Sequence, residues 1–204
     1  MSRYTGPKAR LVRRFGVNLF DSPKFDKILE RRPHAPGMHG KNRVGKASEF
    51  KKQLLEKQKL RFMFGITEKQ LRNYYKKAIS MNEASDIALM KLVEKRLDNA
   101  VYRAGFAKTR AQARQMVGHG IFMLNGRRVS IPSMQIREGD IIEVREKLKA
   151  SPLFNEVKED KKFDHARWLK SEQKALKSEV VALPTEEDID KLIEAHLIVE
   201  FYSK

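Results

Sequence analysis

The chain has 204 residues, enough to bury a sizeable core, and 41% of them are hydrophobic, which excludes wholesale disorder. Lysine and arginine number 43 against 26 acids, so the net charge is +17, a self-repulsion that calls for a polyanionic partner: nucleic acid, an anionic membrane or an acidic protein. With no cysteine, disulfides, thiolate catalysis and cysteine-held zinc are excluded, and no apolar run approaches the roughly 20 residues of a membrane span.

The N-terminus is basic but lacks the apolar stretch of a secretory signal, and Gly6-Pro7 interrupts the amphipathic helix of a mitochondrial presequence. Residues 1–47 carry little helical or strand periodicity and are expected to form a basic, loop-rich arm that orders against a partner. Pro33, Pro36 and the Pro36-Gly37 turn exclude helix over residues 31–43. The charge is uneven: residues 1–61 hold 17 bases against 5 acids, residues 62–151 hold 17 against 9, and residues 152–204 hold 9 against 12. The cationic character therefore belongs to the first three quarters.

Ser48 is predicted to cap a helix reaching Phe64, with Phe50, Leu54, Leu55 and Phe62 inward, Lys51, Lys52, Lys59 and Arg61 outward, and Gly65 at its end. Thr67 and Gln70 form a capping box before a helix whose Leu71, Tyr74, Tyr75 and Ala78 make one apolar face. Helix resumes after a turn at residues 81–86 and runs through Leu92. Leu97, Ala100, Val101 and Ala104 form another stripe, ended by Gly105. Thr109 and Gln112 predict a second capping box, with Ala113, Met116 and Val117 inward. Two apolar runs about Asn125-Gly126 predict a type I′ hairpin, and residues 137–144 a further turn and strand. After Pro152 a charged helical stretch is expected, with Phe163, Trp168, Leu169 and Leu176. The apolar end HLIVEFYSK, helix or strand, is expected to pack back onto the body.

The chemistry gathers in residues 95–129. Arg96, Asn99 and Arg103 lie along one predicted helix, Arg110 and Arg114 stand one turn apart on the next, and Arg127 and Arg128 follow the hairpin turn. A solvated face ordinarily mixes its signs, yet no acid occurs between Asp98 and Glu138, so this face reads as unneutralised. Arginine also outnumbers lysine here, and its planar fork suits phosphate oxygens. His34 and His39 have no evident third ligand, so no metal is expected.

The run RLDNAVYRAGFAKTRAQARQMVGHGIFMLNGRRV resembles the S4 RNA-binding domain. The flanks RYTGPKARLVRRFG, PGMHG, EKQKLRFMFGITEKQLRNYYKKA and LIVEFYSK extend the likeness to the uS4 family of small-subunit ribosomal proteins, bacterial or organellar type. The likeness covers nearly the whole chain and is weakest over residues 151–181 and 21–31. Some members hold zinc through arm cysteines; this chain resembles the cysteine-free branch.

The resemblance implies an α+β protein: a basic arm over 1–47, a helical domain over 48–94 completed by about 182–204, and an S4 domain with a charged helical extension over 95–181. It implies no enzyme activity, no cofactor and no stable homo-oligomer. Expected instead is a cytoplasmic ribosomal constituent, or an organellar one if organelle-encoded. It would bind 16S rRNA at a junction of the 5′ domain early in assembly, contact protein uS5, line the path by which mRNA enters, and support accurate decoding. The expected rRNA contacts are Arg3, Tyr4, Lys8, Arg10, Arg13, Arg14, Arg31, Arg32, His39, Lys41 and Arg43 in the arm. Lys51, Lys59, Arg61, Arg72 and Lys76 are expected from the helical domain. Arg96, Asn99, Arg103, Lys108, Thr109, Arg110, Arg114, His119, Asn125 and Arg127 are expected from the S4 domain.

Three rival readings compete. An S4-domain RNA-modifying enzyme is suggested by Arg96-Leu97-Asp98, similar to the triplet at the catalytic aspartate of pseudouridine synthases, but the triplet lies within a helix and no separate catalytic domain fits. A free-standing RNA-binding factor would not need the arm and helical body. A membrane-surface binder would want a broader exposed apolar face. Deleting the arm is expected to leave the C-terminal body folded.

Overall fold

The computed structural model describes residues 4–42, 46–155, 157 and 166–203. The expected contacts Arg3 and Arg43, and Phe163 of the expected helical stretch, lie outside them. The chain divides into two compact units: Met1–Leu89 with Lys191–Lys204, and Met90–Asp190, the second inserted between the two stretches of the first. The boundaries at 89 and 190 stand beside the sequence expectation of 94 and 181.

The first unit is helical. It holds α1 (Lys8–Phe15), α2 (Pro23–Arg31), α3 (Glu49–Phe64), α4 (Glu68–Ile79), the start of α5 (Ser85–Glu94) and α8 (Ala195–Ser203). Ser48 accepts from the Lys51 amide and Gly65 ends α3 at φ 62°; the Thr67–Gln70 capping box closes in both directions. Such caps satisfy amides that helix geometry leaves orphaned, worth about 1 kcal/mol each. Leu71, Tyr74, Tyr75 and Ala78 are buried as their spacing predicts.

Two expectations fail in this unit. The N-terminal region is not loop throughout: α1 and α2 lie in it, and Leu11, Val12 and Leu19 are buried. The signals were present but short, namely Pro23 at the first turn of α2 and Gly16 in the left-handed region (φ 71°) after α1. The inward face of α3 is also not the Phe50 stripe. Phe50 is exposed, while Gln53, Lys57, Leu60, Met63 and Phe64 are buried. The reason is α8. Gln53 Nε2 donates to Glu200 Oε2 at 2.9 Å, and Lys57 Nζ lies 4.4 Å from the Phe201 ring centroid. A polar residue is thus buried because a partner helix meets it with matching chemistry.

The second unit sets α6 (Leu97–Arg103) and α7 (Arg110–Gly118) with an antiparallel sheet of order β2-β1-β3-β5-β4. The strands are β1 (Phe122–Leu124), β2 (Arg127–Arg128), β3 (Ile141–Val144), β4 (Leu169–Glu172) and β5 (Lys177–Val180). One continuous core runs through Leu97, Val101, Phe106, Val117, Phe122, Ile142, Trp168, Leu176 and Val180. Asn125 (φ 50°) and Gly126 (φ 75°) both occupy the left-handed region, the conformation a type I′ hairpin requires.

The charged stretch expected as helix contains β4 and β5. Leu176, Ser178 and Val180 are buried while Lys177 and Glu179 are exposed, an alternation of period two. Charges on the outward positions made the segment look like a solvated helix. Across the sheet they pair by sign, Lys170 opposite Glu179 and Glu172 opposite Lys177.

Candidate nucleic-acid interface

The arginines of the second unit are joined by a shared network. Arg96 precedes α6 and is fully buried; its Nε and Nη2 donate to Asp98 Oδ1 and Oδ2 at 3.0 and 2.7 Å. The Arg114 Nη1 reaches the same Asp98 Oδ2 at 2.9 Å from α7. Asn99, also buried, donates from Nδ2 to the Glu94 carbonyl at 3.0 Å and to the Glu94 carboxylate. Arg103 meets Glu94 through two bonds, at 2.8 and 3.3 Å. Burial pulls the Arg103 guanidinium down, but Glu94 and then Asp190 outweigh it and hold the group above the ordinary arginine range.

Arg110 is the most elaborately placed of the four. Its Nε donates to Asn99 Oδ1 at 3.1 Å, its Nη2 to Asp190 Oδ2 at 3.3 Å, and its carbon stands 4.7 Å from the Tyr102 ring centroid. The face expected to be unneutralised is therefore partly neutralised. The acids come from outside the window that lacks them: Glu94 and Asp98 just before it, and Asp190 far beyond. Sequence distance hid the pairing.

These contacts give several of the expected residues a structural task. Arg96 and Asn99 are buried and act as supports, since a buried group cannot meet a phosphate without leaving its partners. Thr109 Oγ1 accepts from the Gln112 amide and caps α7, but Gln112 closes on the Lys108 amide, so the expected second box is only half formed. Asn125 spends its amide on the fold, donating to Asp140 Oδ1 at 2.8 Å and accepting from the Ile141 amide at 2.9 Å. Lys108, His119, Arg127 and Arg128 are exposed, and Arg128 Nη2 donates to the His119 carbonyl at 3.5 Å.

In the first unit, exposed cations occur on four helices and a loop: Arg10 and Arg14 on α1, Arg31 and Arg32 at the end of α2, Lys41 in the proline-rich loop, Lys51 on α3, Arg72 and Lys76 on α4. His39 is exposed in that loop. The neighbouring Lys24, Lys27, Lys52, Lys69 and Lys77, which are not among the expected contacts, share this exposure; their signal in the sequence is simply a lysine off the apolar face. Other expected contacts serve the fold. Arg13 donates to the His34 and Ala35 carbonyls at 3.1 and 3.2 Å, tying the proline-rich loop to α1. Lys59 pairs with Glu56 and donates to the Leu192 carbonyl at 3.2 Å; Arg61 donates to Gln58 at 2.9 Å and to Glu68 at 3.4 Å. Lys8 lies over the Phe20 ring, and Tyr4 packs edge-on against Phe62 at 5.2 Å.

The first unit is also tied at its end. The Tyr202 hydroxyl on α8 donates to Glu68 Oε1 at 2.6 Å, and Lys57 donates to the same oxygen at 3.1 Å. Among the described residues no group of three or more histidines and acids is placed to hold a metal ion, and no helix is long and apolar enough to cross a membrane.

Residues 3–94 match the model of the ribosomal protein S4/S9 N-terminal domain, and residues 95–142 match the S4 domain. The small ribosomal subunit protein uS4 of Solidesulfovibrio magneticus is 49% identical, with 100% of both chains covered. Those of Borrelia duttonii and Borreliella burgdorferi are 46% and 45% identical, over 100% of this chain and 99% of theirs. With likeness of this depth from end to end, the chain belongs to the uS4 family.

Proposed function

We propose that this protein is a structural constituent of the small ribosomal subunit that binds ribosomal RNA through both of its units. The observation that carries the reading is the full-length kinship with uS4 proteins, whose name states their place in that subunit. The surface supports it: a net charge of +17, with exposed lysine and arginine spread over several helices and the hairpin. Cations scattered over many elements suit an irregular RNA junction, which is recognised through backbone and 2′-hydroxyl contacts. Each phosphate neutralised adds affinity by releasing counterion.

The role is structural and not catalytic. Asp98, the aspartate of the Arg-Leu-Asp triplet, is nearly buried and shared between Arg96 and Arg114, which leaves it unsuited to attack a substrate. The finer proposal is that the RNA is a junction in the 5′ domain of 16S rRNA, bound early in assembly. Protein uS5 and mRNA on its way into the subunit are the further neighbours, and decoding accuracy depends on the first of these.

Sedimentation tests the reading. The native protein should travel with the small subunit in moderate salt, and the purified protein should prefer its 5′-domain fragment over heparin near 0.15 M salt. A free pool alone, or equal affinity for both polyanions, rejects it.

A further inference from the structure

Glu94, Asp98 and Asp190 all serve the arginines of the second unit, and they are not equivalent. Glu94 and Asp98 are buried and reach guanidinium nitrogens at 2.7 to 2.9 Å. Asp190 is the most exposed of the three, with 18% of its side chain accessible. Its Oδ2 lies 3.3 Å from Arg110 Nη2 and 4.0 Å from Arg103 Nη2. It also arrives differently. Glu94 and Asp98 sit on helices beside their arginines, whereas Asp190 follows Arg110 by 80 residues and lies in irregular chain beyond a short 3-10 turn, Glu186–Asp188.

A carboxylate in this position offers what one edge of a phosphate offers: anionic oxygen aimed at a guanidinium fork. Arg110 does not depend on it for direction, because Asn99 Oδ1 holds its Nε and Tyr102 lies against its face. Removing the carboxylate from Arg110 thus leaves an oriented cation rather than a loose one. Asp190 is part exposed and lies outside any helix or strand, where a local shift of the chain can carry its carboxylate away.

We propose that Asp190 is a displaceable stand-in for an RNA phosphate, so that a ligand gains Arg103 and Arg110 only by expelling the carboxylate into solvent. This deepens the rRNA-binding reading and rests on it. The device sets selectivity. A diffuse polyanion can settle on exposed Arg127 without disturbing Asp190, whereas an RNA that fixes a phosphate at Arg110 must win a local competition. A structured RNA brings enough other contacts to do so.

The test compares Asp190→Asn, which keeps shape and removes charge, with Glu187→Gln. Glu187 pairs with Arg167, both side chains being more than four-fifths exposed, so its replacement makes the same change in net charge away from the arginine network. Near 0.15 M salt, Asp190→Asn should tighten binding of the 5′-domain rRNA fragment about two- to fivefold, the scale of one partly exposed ion pair, and Glu187→Gln should change it far less. Asp190→Glu should return affinity toward wild type. In the wild-type protein, amide hydrogen exchange around residues 186–190 should speed up when that fragment binds, a readout that needs no variant. Equal or weaker binding by Asp190→Asn, an equal gain from Glu187→Gln, or slowed exchange at 186–190 overturns the proposal while wild-type rRNA binding stands. Wild-type protein that fails to prefer the rRNA fragment over heparin removes the functional reading itself, and this inference with it.

Discussion

Arg96 and Asp98 hold each other by two bonds, 3.0 and 2.7 Å long, at a point where the arginine has no solvent exposure. Neither charge tolerates loss of the other. Asp98→Ala takes the carboxylate away from a buried guanidinium and should cost about 3–5 kcal/mol, read as a lower denaturant midpoint. Replacing both residues together, Arg96→Met with Asp98→Leu, should cost less than Asp98→Ala alone. A single variant as stable as wild type would mean that the pair is not buried in solution.

The end of the first unit should respond to pH. Burial alone pushes the Glu68 carboxyl up, but the Tyr202 hydroxyl and Lys57 outweigh it and leave it below the ordinary glutamate range. A carboxyl depressed in the folded state stabilises above its unfolded pKa of about 4.3 and loses that contribution as pH falls through the lower folded value. Tyr202 is shifted the other way, raised first by burial and then by Glu68, so its contribution is present below about pH 10 and fades above it. Melting temperature should therefore fall on both flanks, and Glu68→Gln should remove much of the acid flank. Because Glu68 is substantially exposed, solvent screening keeps the effect small. An unaltered acid flank in Glu68→Gln would count against the bond from Tyr202.

Asn125 and Gly126 divide a structural task. Gly126→Ala forces a side chain into the left-handed region and should cost about 1–2 kcal/mol. Asn125→Ala removes the acceptor of the Ile141 amide and the partner of Asp140, and should also destabilise. Folding-corrected rRNA affinity should be nearly unchanged in both. Lost affinity at full stability would restore Asn125 as a contact.

Local signals in this chain were legible wherever one residue does one job nearby. Ser48, Thr67 and the Asn125-Gly126 turn announce their structures within four residues, and the apolar stripe of α4 is buried as spaced. What the sequence hid depends on a distant partner. Lys57 is buried because Phe201 lies against it, and Arg110 is paired because Asp190 reaches it. The strand character of β5 was masked because its outward positions are charged. For the interface, exposure of the hairpin arginines followed from the turn, but which arginines are spent internally did not.

That division can be measured on the hairpin. Arg127 and Arg128 are exposed, so replacing either with alanine should leave stability within about 0.5 kcal/mol of wild type. Where one meets an rRNA phosphate, the slope of log affinity against log salt should shrink by about 0.7–0.9. Arg13→Ala should behave oppositely, loosening the proline-rich loop it ties and lowering the melting temperature. Slopes unchanged in both hairpin variants would remove that tip from the interface.

Unit independence follows from where the apolar residues are spent. Trp168, Leu169, Leu176 and Val180 complete a core that begins at Leu97, all inside Met90–Asp190. A fragment of residues 90–190 has about the size at which a single core suffices. It should fold alone, with a cooperative thermal transition and the near-ultraviolet signal of a fixed Trp168. Deleting residues 1–47 is a different matter, because it strips Leu11, Val12 and Leu19 from the core of the first unit. That deletion should lower the transition of the helical unit while leaving the Trp168 signal at its original temperature, since the sole tryptophan reports only on the second. Loss of the Trp168 signal on deleting the first 47 residues would show that the two cores are one cooperative structure.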